Sequence, residues 1–281
     1  SSLREISIPE SVKSIGSYSF CGCTALEKLV IPKSVTILKE DAFSGCSKLK
    51  SVTINAQLTV INEYTFNRCV SLVELNLPDS ITSIEKDAFN ECTSLVDLKI
   101  PQNVETIGDH SFSGCVSIKH VTLPDSLTTI GSFAFDGCKS IAHIELPKSV
   151  KNIGEDAFND CTALEDICIP YGVTMISKYA FCGCTSLQTA IIPSTVTIIN
   201  DYAFHGCTSL KDVDIPDSVN TIGDYGFNRC SSLTKLVIPS SVKSIGRDAF
   251  NECTSLTQVI LPDSIEYIQE YAFNDCTALS E

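Results

Sequence analysis

Fifteen cysteines and four histidines are the residues of this 281-residue chain whose types suggest chemistry. Cysteines in that number offer disulfides in a small secreted domain, or zinc ligation where two pairs converge. A histidine beside a carboxylate offers a divalent-ion site or a general base. Spacing decides among these. Twelve of the cysteines, from Cys23 and Cys46 to Cys276, recur every 23 residues. Identical side chains placed once per repeat point in parallel, which suits neither the disulfide dihedral near 90° nor a unique pairing. They read as buried free thiols, because unoxidised cysteine packs as a small hydrophobe. The pairs Cys21-Gly22-Cys23 and Cys182-Gly183-Cys184 lie seven repeats apart. At strand spacing that is roughly 35 Å, and neither has a second ligand pair nearby. Cys21 and Cys182 are therefore read as surface substitutions.

His120 and His143 stand one period apart, between Asp97 and Asp166. The row Asp97, His120, His143, Asp166 would fall on four adjacent strands. A divalent ion needs converging ligands, whereas a row of parallel side chains spreads. The row reads as a polar, hydrogen-bonded rail on a binding face, with no metal expected. No G-x-S-x-G elbow, phosphate loop or H-E-x-x-H is present. No catalytic residue, cofactor or enzymatic activity is expected.

What positions these residues is the repeat itself. All eleven prolines share one phase of the 23-residue period, whose single gap is Asn55. Twelve of thirteen phenylalanines share another, from Phe20 to Phe273, and no insertion breaks the register over twelve periods and the start of a thirteenth. Within one period, Leu3, Ile6 and Ile8 alternate as in a half-buried strand, with Ser7 pointing the other way. Pro9 closes the strand because it has no N–H for a further ladder bond. Val12 and Ile15 form a second apolar pair. Gly16 heads a slot that is otherwise polar, as in Lys39, Asn62 and Gln269, and reads as a bend with positive φ in some copies. Ser19 to Cys23 reads as one short helical or 3₁₀ turn ending at Gly22. A unit with one strand and one turn has no core of its own and must stack on its neighbours. Its length and its L-x-x-I-x-I core fall in the leucine-rich repeat range. The expected fold is a right-handed leucine-rich repeat solenoid over residues 1–281, with short parallel strands on the concave face and loops and short helical or 3₁₀ turns on the convex face.

The string I-P-x-S-V-x-x-I-G-x-x-A-F-x-G-C-x-S-L resembles the BspA-like, or treponemal-type, leucine-rich repeat. Residues 146–158 carry it nearly intact, with Leu146 in place of the usual Ile. The resemblance covers the whole chain. It implies adhesion or protein binding at a cell surface, and it brings no catalytic residue set.

Charge narrows the partner. Lys and Arg number 20 against 34 Asp and Glu, a net charge of -14, which excludes nucleic acid and a polybasic lipid anchor. No apolar run approaches a membrane span, and Ser1 to Glu5 shows no signal peptide. Function in a solenoid lies on the exposed slots. The outward strand slot includes Val30 and, in the C-terminal half, Cys168, Ile191, Val237 and Ile260, interrupted by Asp214. An apolar strip rimmed by polar residues marks a protein-binding site, although strand propensity alone also favours Val and Ile there. The slot running from Tyr18 to Tyr271 is mostly aromatic or acidic and reads as cover for the adjacent core. Neither end carries a polar capping repeat, so the chain is expected to be a section of a longer array, with end-to-end stacking as the second option. The expected function is a cell-surface recognition module binding another protein through its concave face. The alternative is an intracellular structural scaffold.

Overall fold

The structure is a computed structural model and describes residues 2–280. Ser1 and Glu281 lie outside the described residues. The chain divides into two compact units, Ser1–Ile141 and Ala142–Glu281. Each is a stack of 23-residue coils whose strands pair in parallel with their counterparts one period away, as in Lys28↔Ser51↔Glu74 and Asp166↔Thr189↔Asp212. Alternation works as its residue types require. Lys28 and Val30 are exposed while Leu29 and Ile31 are buried. Asn55 shows what proline does elsewhere in its slot: it donates its N–H to the Ile31 carbonyl at 2.9 Å, a bond no proline can make.

The strand ladder is interrupted. In the first unit it consists of a three-stranded sheet (Lys28–Ile31, Ser51–Ile54, Glu74–Asn76) and a two-stranded one (Asp97–Lys99, His120–Thr122). In the second unit, Asp166–Cys168, Thr189–Ile191 and Asp212–Val213 form one sheet, and Lys235–Val237 and Gln258–Ile260 another. Residues 142–147 form no strand, so the expected row of four adjacent strands from Asp97 to Asp166 is not realised. A two- or three-residue strand makes so few ladder bonds that a small lateral spread interrupts the sheet.

A second parallel ladder, not anticipated from the sequence, runs through the slot of Ile15. Strands such as Val60–Ile61, Ser83–Ile84 and Thr106–Ile107 pair in register, and Ile61, Ile84 and Ile107 are fully buried.

The Phe segment forms consecutive turns, and no helix occurs among the described residues, hence none long and apolar enough to cross a membrane. Two backbone positions per coil explain the missing helix. Both the Tyr18 slot and the Gly22 slot have positive φ, 58° at Tyr18 and 68° at Gly22. Left-handed residues four apart break any right-handed helical run. The amides between them alternate. Phe20 N and Gly22 N donate to Ala42 O and Ser44 O of the next coil, whereas Cys21 N and Cys23 N donate to Tyr18 O and Phe20 O within the turn.

The Gly16 slot does not have the positive φ expected of it. Glycine there allows coils to approach. A Cβ on Gly131 would lie 2.6 Å from the Asp109 amide nitrogen, and one on Gly108 would lie 2.8 Å from the Glu85 carbonyl carbon. Where the slot is polar, its side chain binds the preceding coil: Asn200 Nδ2 donates to Ile176 O at 2.9 Å.

At the core, the phenylalanines stack face to face, with centroids 5.1 Å apart for Phe20–Phe43 and 5.4 Å for Phe181–Phe204. From Phe43 to Phe250 every member is fully buried. These rings dominate the burial energy, at roughly 3–5 kcal/mol for truncation of one to Ala.

Candidate binding face and the cysteine ladder

The outward strand slot is exposed in both units. Its chemistry differs between them. In the second unit Cys168 pairs with Ile191, and Val237 with Ile260. Ile191 is 57% exposed, whereas the residues beside it on the inner face, Ala190 and Ile192, are buried. Val237 and Ile260 are similarly exposed, and Cys168 is exposed with a free thiol. Asp214 occupies the same slot between Ile191 and Val237 and is exposed. In the first unit the slot holds Val30 and then Thr53, Asn76, Lys99 and Thr122. Only Val30 is a large exposed hydrophobe there, and the neighbouring Lys50 is bound to Glu27 at 3.0 Å.

The Asp–His row is partly assembled. Asp97 and His120 sit opposite one another on paired strands of the first unit. His143 lies in the second unit outside any strand. Its Nδ1 meets Asp166 Oδ1 at 2.5 Å, and its Nε2 lies 3.9 Å from Glu165 Oε2. The imidazole and both carboxylates are half exposed or more, so the contact orients Asp166 and adds little stability. Among the described residues, no three His, Cys, Asp or Glu side chains converge as metal ligands.

The cysteines of the periodic slot are buried from Cys46 onward, and they do more than fill space. From Cys46 to Cys138 and from Cys184 to Cys276 the thiols donate to the carbonyl of the phenylalanine in the preceding coil: Cys46 Sγ to Phe20 O at 3.2 Å, Cys115 to Phe89 at 3.2 Å, Cys207 to Phe181 at 3.2 Å. The same carbonyl accepts the amide of the cysteine in its own coil, as Cys23 N to Phe20 O at 3.1 Å. Both lone pairs of a buried carbonyl are thereby satisfied. Serine would also donate but is smaller and more polar, and alanine would not donate at all. Cys follows Phe by three residues in every repeat, which accounts for the amide bond within the coil but not for the thiol bond between coils. Burial pushes the thiols up, to about 12 for Cys46, Cys115 and Cys253. Among the thiols outside the ladder, Cys21 is exposed, whereas Cys182 is partly buried and pushed to about 11, first by burial and then by Asp160.

The aromatic slot builds a second stack, Tyr179–Tyr202–Tyr225, with centroids 4.6 and 4.5 Å apart. His205 meets Tyr202 edge-on, and burial followed by the Arg229 charge lowers its pKa. The acids in this slot behave as cover, Asp87 and Asp248 being buried.

A family model described as the BspA type leucine-rich repeat region matches residues 1–98, 82–211 and 174–281. A crystal structure of a leucine-rich repeat protein from Bacteroides ovatus is 30% identical, with a TM-score of 0.65 over 95% of this chain and 81% of that one. A leucine-rich cell surface protein from Faecalibacterium prausnitzii is also 30% identical, with a TM-score of 0.61 over 96% and 82% of the two chains. A leucine-rich repeat protein from Eubacterium ventriosum, 21% identical, shares the fold with a TM-score of 0.61 over 96% and 81%. No curated protein matches the chain.

Proposed function

The chain belongs to the BspA-type leucine-rich repeat family, and on that premise we propose that it is a cell-surface recognition module that binds another protein through its outward strand face. One observation carries the binding reading. Large aliphatic side chains stand exposed between buried strand neighbours at Ile191 and Val237 in the second unit and at Val30 in the first, and Ile260, paired with Val237, is exposed beside them. Such side chains in a polar surround are what a protein partner covers. In the second unit Cys168 extends the apolar patch and His143 and Asp166 supply its polar margin; in the first, Asp97 and His120 are exposed on paired strands. A row of shallow, repeated positions fits binding better than catalysis, which needs converging groups in a water-excluding pocket. The surface location is supported by the F. prausnitzii relative, itself a cell surface protein at 30% identity.

Protease shaving of intact source cells tests the location. Release of this chain's peptides, with cytosolic markers retained, is expected. Retention of the chain with those markers would overturn the surface reading in favour of an intracellular scaffold. Beads coated with the chain should then bind neighbouring cells, and Ile191→Asp with Ile260→Asp should abolish that binding while the circular dichroism spectrum stays the same. Undiminished binding by the variant would remove the strand face from the function.

A further inference from the structure

Resting on the strand-face reading, we propose that the partner presented to the second unit is a cationic protein segment, rich in Lys or Arg and anchored by an aliphatic side chain on Ile191. The carboxylates around that residue carry the argument. Asp166 and Asp212 flank Thr189 on the two strands paired with Thr189–Ile191. Asp214 stands two residues after Asp212 in the same coil, and Glu165 and Glu145 are exposed on preceding coils. Against these acids the same face of this unit sets Lys211 and Lys235. Asp166 has His143 as a neighbour at 2.5 Å. Asp212 and Asp214 hold no ion pair within 4 Å among the described residues.

The first unit gives an internal comparison on the same scaffold. Its equivalent slots carry Arg4, Lys28, Lys50, Lys99 and Lys119 among the acids, so its exposed aliphatics, Val30 and Val73, stand in a rim of mixed charge. Fold, period and slot geometry are the same, so the combination of aliphatic anchor and acidic rim belongs to the second unit and does not follow from the repeat. A carboxylate rim repels acidic partners and attracts basic ones, and an exposed isoleucine gives the apolar contact that a rim of charges cannot. Net charge selects among occupants as well. At -14, two copies of this chain repel each other, as do this chain and a nucleic acid, whereas a basic segment is steered towards it.

The test uses the purified full chain and three fluorescent 12-residue probe peptides, in which leucine alternates with lysine, leucine with glutamate, and serine with lysine. Fluorescence anisotropy is read at 50 and 300 mM NaCl. The leucine–lysine peptide is expected to bind more tightly than either of the others, and to weaken at the higher salt as the charges are screened. Asp212→Lys with Asp214→Lys should weaken it by about tenfold or more, which is about 1.4 kcal/mol. Ile191→Asp should lose the advantage of leucine over serine. Lys99→Glu, on the first unit, should leave affinity unchanged. All of these sites are exposed, so a retained melting temperature is expected and separates loss of binding from loss of fold. Equal or tighter binding of the leucine–glutamate peptide, with sensitivity to Ile191→Asp, would overturn the cationic partner and leave the strand face standing. Binding of the serine–lysine peptide as tight as that of leucine–lysine would overturn the aliphatic anchor. No binding by any peptide would overturn both this inference and the strand-face reading.

Discussion

At the scale of residues, the cysteine slot shows how one side chain serves packing and hydrogen bonding together. Periodicity made its burial and free thiols legible, because a ladder of parallel side chains has no unique partner. The bond from these thiols to the preceding phenylalanine carbonyl was not legible, since it depends on a separation of 26 residues that only the stacked coils bring within reach. Two predictions follow from the burial. In native protein a thiol reagent should modify Cys21 and Cys168 first, and the ladder thiols only after denaturation; few new thiols on denaturation would mean that the ladder is oxidised. The second concerns alkaline stability. Folding raises the ladder thiols from an ordinary value of 9.0 to about 12 at Cys46, Cys115 and Cys253. The folded form therefore keeps its protons while the unfolded form ionises. Stability is complete below pH 9 and falls as pH rises from 9 towards 12, by up to about 1.4 kcal/mol per pH unit for each such thiol. Urea unfolding at pH 7.5, 9 and 10 measures the slope, and Cys115→Ala should make it shallower. A flat profile would contradict the burial.

At the scale of elements, glycine has two distinct uses, and only one of them is legible in the sequence. The expectation of positive φ fell on the Gly16 slot, where the reason for glycine is close approach of coils. The left-handed positions are the Tyr18 and Gly22 slots, and the former is never glycine. Residue types disguise it: Tyr202 at 57° and Asp41 at 54° are costly conformations that the turn and its bonds to the next coil impose. The distinction is measurable. Gly137 has φ +67° and no atom within 3.8 Å of an added Cβ, so Gly137→Ala should cost only the conformational term, about 1–2 kcal/mol. Gly131 has ordinary φ, but an added Cβ meets backbone at 2.6 Å. Gly131→Ala should cost more, about 3 kcal/mol, because alanine brings the collision without the hydrogen bond that asparagine makes in this slot. Equal costs in urea unfolding would refute the assignment of two roles. The second strand ladder was missed for a related reason: a buried isoleucine once per period marks a core position, and two-residue strands leave no alternation to read.

At the scale of the whole molecule, an unbroken 23-residue register was enough to read the solenoid, since each contact recurs at that separation. One lapse of the strand ladder, at residues 142–147, could not be read, because the local sequence there, His143-Ile144-Glu145, alternates as well as any other copy. The apolar C-terminal half of the outward slot was legible from the period, but the acids gathered around Ile191 were not, because strand pairing is what sets Asp166 and Asp212 on either side of Thr189. The alternating amides of the Phe turn carry a further consequence for how such a stack comes apart. Asn67 N and Cys69 N are held inside their own turn, while Phe66 N and Arg68 N are held by Ala88 O and Asn90 O of the next coil. Neighbouring amides thus report on different events. Deuterium uptake at Asn67 and Cys69 records fraying of one turn, and uptake at Phe66 and Arg68 records the parting of two coils. Parting bares a phenylalanine ring, so its rate should climb more steeply with denaturant than that of fraying. Residue-resolved exchange should therefore split this short stretch into two interleaved kinetic classes. A single common class would mean that turn and interface open together. The backbone acts as a two-channel recorder, with one channel for the coil and one for the seam between coils.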